Sequence, residues 1–80
     1  MTIKVYSNDN CVQCDRTKKF LDDNNIPYEN LRLVDYPEET RKFLDMGFRS
    51  APIVHAPHKV WAGFKLEELK SLLMENNQWV

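Results

Sequence analysis

The order of strand-like and helix-like segments in the first half of the chain most constrains its fold. Residues 2–7, TIKVYS, alternate apolar and other side chains and are rich in β-branched and aromatic types, which predicts a strand. Residues 12–24 repeat apolar and small side chains every three to five positions, which predicts an amphipathic helix ending before Pro27. The positions that carry this pattern are Val12, Thr17, Phe20, Leu21 and Asn24. Residues 28–34, YENLRLV, predict a second strand, so the segment is a βαβ unit with parallel strands and a right-handed crossover.

The next segment, residues 35–48, predicts a short second helix. Pro37 suits the first helical position, and two glutamates follow it in the first turn, where the helix dipole favours negative charge. Phe43 and Leu44 are expected to face inward. Gly47 can close the helix in a left-handed conformation.

The last third of the chain predicts two short strands and a helix. PIVHA and KVWAG, residues 52–56 and 59–63, are expected to pair as an antiparallel hairpin around a turn at PHK. Residues 65–76 place four leucines on one helical face, namely Leu66, Leu69, Leu72 and Leu73. The complete order βαβαββα predicts an α/β protein with a four-stranded mixed sheet and helices on both faces.

Length and charge narrow the class of protein. Eighty residues correspond to a single domain, 1–80. Eleven basic and twelve acidic residues are interspersed and give a formal charge of −1, so the chain has no basic stripe for nucleic acid. Its apolar runs are far shorter than the roughly 20 residues that span a bilayer, and its N-terminus lacks the apolar region of a signal peptide. We expect a cytoplasmic protein that needs no assembly beyond a monomer.

Two cysteines separated by two residues, Cys11 and Cys14, are the main candidates for chemistry. They follow the first predicted strand and open the first predicted helix, where free N–H groups and the positive end of the helix dipole favour a thiolate. A thiolate is the nucleophile in disulfide exchange. In the redox interpretation Cys11 attacks a substrate disulfide and Cys14 resolves the mixed disulfide, while Asp9 and Asp15 oppose negative charge at Cys11.

Two other interpretations of the cysteine pair stay open at this stage. His55 and His58 complete a nominal set of zinc ligands. However, forty residues separate Cys14 from His55, whereas about 12–15 separate the ligand pairs of a zinc finger. The remaining alternative is a pair of unreactive buried cysteines.

Four features together resemble the thioredoxin fold and, within it, the glutaredoxin-like NrdH redoxins. They are CVQC at residues 11–14, GFRSAPIV from Gly47, WAGF at residues 61–64, and the order of the predicted elements. The resemblance implies a cis-proline at Pro52, with the backbone of Ala51 free to pair with a substrate chain. It also implies partner contacts at Trp61, Gly63 and Phe64, although packing is an equal alternative for Trp61 and Phe64, and a helix-entry turn is an equal alternative for Gly63.

The same resemblance implies the electron donors and acceptors. It implies no bound cofactor, with electrons passing from NADPH through thioredoxin reductase to the chain and then to ribonucleotide reductase. The alternative is a glutathione-dependent glutaredoxin. Such proteins usually carry a basic residue three positions before the first cysteine and a GG plus acidic pattern near the last helix, where this chain has Asn8 and AGFK.

Overall fold

The computed structural model describes residues 2–77 of the chain. Within this range four strands and three α-helices follow in the order β1 Lys4–Ser7, α1 Val12–Asp23, β2 Glu29–Arg32, α2 Pro37–Asp45, β3 Ile53–Ala56, β4 Lys59–Ala62 and α3 Leu66–Asn77. This order confirms the predicted βαβαββα arrangement. No helix among these residues is long and apolar enough to cross a membrane.

The four strands form one mixed sheet in the spatial order β2-β1-β3-β4. Strand β1 runs parallel to β2 and antiparallel to β3, and β3 is antiparallel to β4. The register places Tyr6 opposite Ile53, and Ile53 opposite Ala62. The end of β1, the start of β3 and the end of β4 therefore meet at one end of the sheet, which we call the upper end.

Both faces of the sheet are covered by helices, as predicted. The larger core joins the sheet to α1 and α3 and contains Ile3, Val5, Leu21, Ile26, Val54, Ala56, Trp61, Leu69 and Leu72. The smaller core joins the opposite face to α2 and contains Tyr6, Phe43 and Ile53. Full burial of a side chain such as Leu21 contributes about 1.5–3 kcal/mol, so these two cores hold the helices against the sheet.

The second strand is shorter than predicted. It ends at Arg32, and Leu33–Asp35 form a single turn of 3₁₀ helix instead of continuing the strand. The carbonyl of Leu33 accepts hydrogen bonds from the amide of Tyr36 at 3.0 Å and from the hydroxyl of Thr40 at 2.9 Å. These bonds direct the chain away from the sheet and into α2.

Four residues of the predicted helical patterns are exposed, and for Leu44 this differs from the expected inward position. Val12 and Leu66 are 66% and 42% exposed because they are the first residues of α1 and α3. Leu44 is 49% exposed because it lies about 100° around the helix from Phe43, which takes the inward position. Asn24 follows the end of α1, and its side-chain amide donates to the carbonyl of Phe20.

Gly47 ends α2 as predicted. Its φ of +94° is in the left-handed region. The Gly47 amide donates to the carbonyl of Leu44, and the Phe48 amide donates to the carbonyl of Phe43, each at 3.0 Å. Together these bonds form a Schellman motif that satisfies the last carbonyls of the helix.

Candidate redox site

Cys11 and Cys14 lie at the N-terminus of α1, above the upper end of the sheet. Asn10, with a φ of +55°, turns the chain from β1 toward the helix, a conformation that Asn tolerates better than most residues. Cys11 is the N-cap residue, and its sulfur accepts a hydrogen bond from the Cys14 amide at 3.1 Å. The two residues form a disulfide with a Cα–Cα distance of 5.2 Å. The predicted placement of the pair at the helix end is confirmed.

The two sulfur-bearing side chains differ in exposure. Cys14 is only 1% exposed, whereas Cys11 is partly exposed. A disulfide exchange with another molecule requires a sulfur that the other molecule can approach. Within this pair, only Cys11 offers one.

The charges beside Cys11 are more balanced than the sequence suggests. The carboxylate of Asp9 forms an ion pair with Arg32 at the end of β2, with 3.2 Å between Oδ2 and Nη2. Both side chains are exposed, so the pair contributes at most about 1 kcal/mol to stability. Because the Arg32 cation lies close to the carboxylate of Asp9, the negative charge of Asp9 opposes a Cys11 thiolate less strongly.

Pro52 and Ala51 lie immediately before β3. The peptide bond between them is cis, as the resemblance implied, and Pro52 is buried. Ala51 is half-buried, and within residues 2–77 its amide and carbonyl have no backbone hydrogen-bond partner. Because Ile53 pairs with Tyr6 of β1, this segment lies at the same end of the sheet as the loop that carries Cys11.

The segment after β4 closes the other side of the site. Gly63 is buried with a φ of +89°, and its amide donates to the carbonyl of Pro52 at 2.7 Å. Phe64 is half-buried, and its amide donates to the side-chain oxygen Oε1 of Gln13 at 2.9 Å. Sequence reasoning missed Gln13, although its position between the two cysteines marks it as close to the chemistry.

Trp61 lies deeper than the other predicted contact residues. It is 3% exposed and packs in the larger core, and in the described part of the chain its indole Nε1 has no hydrogen-bond partner. A side chain buried to this degree presents almost no surface to another protein. Trp61 is therefore a residue of the larger core.

A groove of about 340 Å³ adjoins Ala51 on the α2 side of the sheet. Its walls are mainly apolar and are lined by Asn8, Leu33, Val34, Thr40, Leu44, Phe48, Arg49, Ser50, Ala51 and Ile53. Arg49 is the charged side chain of this lining, and sequence reasoning did not identify it. The exposed side chains of Leu44 and Val34 line this groove and do not pack in a core.

The two histidines lie away from the cysteines. His55 pairs with Lys4 at the start of β1, and His58 follows in the turn between β3 and β4, so both are at the lower end of the sheet. Across residues 2–77, no three His, Cys, Asp or Glu side chains come together as a metal-binding group. The geometry does not assemble the nominal zinc ligand set.

Comparison with known proteins identifies the family to which the chain belongs. The family model described as Glutaredoxin matches residues 3–61. A glutaredoxin-like protein NrdH from Lactococcus lactis is 36% identical over 70 residues, covering 88% of this chain and 97% of the relative. The chain belongs to the glutaredoxin family. Within that family it is a glutaredoxin-like redoxin of the NrdH type, and such redoxins are thiol–disulfide oxidoreductases.

Solved structures of other redoxins support the same assignment. The NrdH-redoxin of Escherichia coli superposes with a TM-score of 0.85 at 30% identity, covering 90% of this chain and 95% of that one. A glutaredoxin from Archaeoglobus fulgidus superposes with a TM-score of 0.69 at 27% identity, covering 89% and 84%. The thioredoxin/glutaredoxin fold of this redoxin is thereby confirmed.

Proposed function

We propose that this redoxin is a dithiol electron carrier in which Cys11 attacks a substrate disulfide and Cys14 resolves the resulting mixed disulfide. The observation that supports this assignment of roles is the difference in exposure, with Cys14 at 1% and Cys11 accessible at the helix end. The Cys14 amide, which donates to the Cys11 sulfur, and the dipole of α1 both stabilise negative charge on that sulfur.

The reaction moves two electrons in two exchange steps. The Cys11 thiolate attacks one sulfur of the substrate disulfide, the substrate S–S bond breaks, and the other substrate sulfur leaves as a thiolate. The Cys14 thiolate then attacks the Cys11 sulfur and releases the second substrate thiolate. The substrate ends as a dithiol after taking protons from water, and the redoxin ends with the Cys11–Cys14 disulfide present in this structure.

A polypeptide is the substrate class that fits the surroundings of Cys11. The backbone amide and carbonyl of Ala51, which have no backbone partner among the described residues, can pair with an extended chain, and the apolar groove beside them can take that chain's side chains. Ala51, Pro52, Gly63 and Phe64 would then frame the substrate around the cysteines, while Trp61 supports them from the core.

We further propose that thioredoxin reductase, using NADPH, restores the dithiol, and that ribonucleotide reductase receives the electrons. Support comes from the NrdH relatives and from the thioredoxin-like activity profile reported for the Escherichia coli redoxin. In this proposal the redoxin binds no cofactor of its own and works as a cytoplasmic monomer.

Glutathione-dependent reduction is a second candidate because of Arg49. This cation lines the groove next to Ala51, where it can pair with a carboxylate of glutathione even though Asn8 offers no charge. The deciding experiment oxidises the redoxin and compares its reduction by NADPH with thioredoxin reductase against reduction by glutathione with glutathione reductase. We expect efficient turnover with thioredoxin reductase, and turnover with glutathione alone would reject the first candidate.

A further inference from the structure

Gln13 connects the redox motif to the segment that follows β4. Its side-chain oxygen accepts a hydrogen bond from the Phe64 amide at 2.9 Å, across 51 positions of sequence. A backbone amide is always a donor, so this partner fixes which end of the Gln13 side chain faces it. Gln13 is otherwise exposed on α1.

The bond at Gln13 is one of two that hold the same loop. The preceding amide, at Gly63, donates to the carbonyl of Pro52 at 2.7 Å. One residue pair, Gly63 and Phe64, is therefore anchored to the segment before β3 on one side and to the CVQC turn on the other. A Cβ on Gly63 would lie 3.3 Å from the Gln13 oxygen, so the absence of a side chain at Gly63 helps that oxygen to approach.

The hydrogen bonds that shape the cysteine pair do not involve the Gln13 side chain. The Cys14 amide donates to the Cys11 sulfur, and the Asp15 amide donates to the Cys11 carbonyl. Loss of the Gln13 side-chain oxygen therefore leaves the helix end intact and removes one of the two bonds that hold the loop at residues 63–64. A loop with greater freedom must be ordered again when a chain binds against it, which weakens binding without slowing the exchange itself.

We propose that Gln13 is a positioning residue that holds the loop at residues 63–64 against the redox motif and thereby sets the affinity for polypeptide disulfides. This inference rests on the proposed function, in which that loop frames a polypeptide substrate. It predicts that replacing Gln13 weakens the reaction with polypeptide disulfides and leaves the reaction with small disulfides unchanged. The side chain acts through Phe64 and does not touch the reacting sulfurs.

The test uses the pre-reduced full chain in single-turnover reactions, so it does not depend on which reductase serves the protein. Insulin is the polypeptide disulfide and dithiobis(nitrobenzoate) the small one. Gln13→Met keeps the length of the side chain and removes the acceptor. It should raise the insulin concentration for half-maximal rate about 2- to 12-fold, the effect of losing one ordinary hydrogen bond, with an unchanged maximal rate.

Three further variants sharpen the result. Gln13→Glu retains an acceptor oxygen and should keep the wild-type insulin concentration for half-maximal rate. Arg16→Met, an exposed substitution one turn along α1, should resemble wild type. Gly63→Ala should also raise the insulin value, because the new methyl group crowds the Gln13 oxygen and because the φ of +89° strains an alanine at this position.

The outcomes separate this inference from the function on which it rests. Equal slowing of both disulfides in Gln13→Met, an unchanged insulin value, or failure of Gln13→Glu to retain the wild-type value would overturn the positioning role. Thermal unfolding of each variant checks that it is folded, and Gln13→Leu, which also lacks an acceptor oxygen, supplies the same test if Gln13→Met is not. A wild-type redoxin that reduces neither disulfide would instead overturn the proposed function.

Discussion

The backbone amide of Cys14 donates a hydrogen bond to the sulfur of Cys11 at 3.1 Å. This bond makes Cys11 the N-cap of α1 and places its sulfur against an amide of the helix end. The same turn places Cys14 inside the protein, where it is 1% exposed. One local structure thus gives the two cysteines different environments, and their proposed roles follow from it.

The two thiols of the reduced redoxin should differ in reactivity. In the reduced redoxin, iodoacetamide at neutral pH should modify Cys11 more than about tenfold faster than Cys14, because Cys11 is exposed and favoured as a thiolate. Peptide mass spectrometry after short reaction times measures both rates. The unfolded, reduced protein is the control and should show similar rates at the two positions. Equal rates in the folded protein would contradict the assignment.

Arg49 provides a test of the glutathione candidate. If its guanidinium binds a carboxylate of glutathione, Arg49→Met should slow the reduction of the oxidised redoxin by subsaturating glutathione by about tenfold or more, since hydrogen bonds to charged groups contribute about 1.5–3 kcal/mol. Arg41→Met, an exposed substitution on α2, is the matched control. Identical glutathione rates in all three proteins would remove Arg49 as a reason to consider this reductant.

Features of the fold and the site that depend on residues close in sequence could be predicted. Cys11 lies at a helix end because a turn residue precedes it and an amphipathic segment follows it, and Gly47 ends α2 because only glycine adopts its conformation without cost. The cis bond before Pro52 was available from the resemblance alone, because a proline without structural context is trans in most cases.

Features that depend on contacts between distant segments could not be predicted. The second strand stops at Arg32 because Thr40, from the next helix, binds the carbonyl of Leu33. The link between Gln13 and Phe64 joins two segments 51 positions apart, which periodicity does not reveal. Arg49 was overlooked for the same reason, since its place in the groove follows from the packing of α2 beside the sheet.

The left-handed conformation at Gly47 leads to a stability prediction. Among residues 2–77, apart from the two chain neighbours of Gly47, no atom lies within 4 Å of a Cβ added there, so Gly47→Ala introduces backbone strain without a clash. We expect the free energy of unfolding to fall by about 1–2 kcal/mol, measured by urea denaturation. Arg41→Ala, within the same helix, should change it by less than about 0.5 kcal/mol. A Gly47→Ala variant as stable as wild type would argue against the Schellman motif at this position.

Two tyrosines predict how stability changes at high pH. Burial, with a smaller contribution from Glu39, raises the pKa of Tyr6 above its usual 10.0, and burial with nearby Asp22 raises the pKa of Tyr28. As the pH rises, the unfolded chain loses these protons before the folded protein does. The resulting stabilisation is therefore complete below a pH of about 10 and is lost as the pH rises through the pKa values of the folded protein.

Urea denaturation of wild type and of the variants Tyr6→Phe and Tyr28→Phe as a function of pH measures this effect. All three proteins retain the same lysines, so the differences between them report the tyrosines alone. Stability should decline less steeply above pH of about 10 in each variant than in wild type. Parallel curves of stability against pH for the three proteins would contradict raised pKa values for Tyr6 and Tyr28 in the folded state.

The central claim is that Cys11 attacks and Cys14 resolves, and trapping the mixed disulfide tests it most directly. Reduced Cys14→Ser is mixed with insulin and examined by non-reducing electrophoresis and mass spectrometry, beside Cys11→Ser treated in the same way. We expect a long-lived disulfide between Cys11 and insulin in the first variant and little or none in the second. A comparable adduct through Cys14 in the Cys11→Ser variant would contradict it.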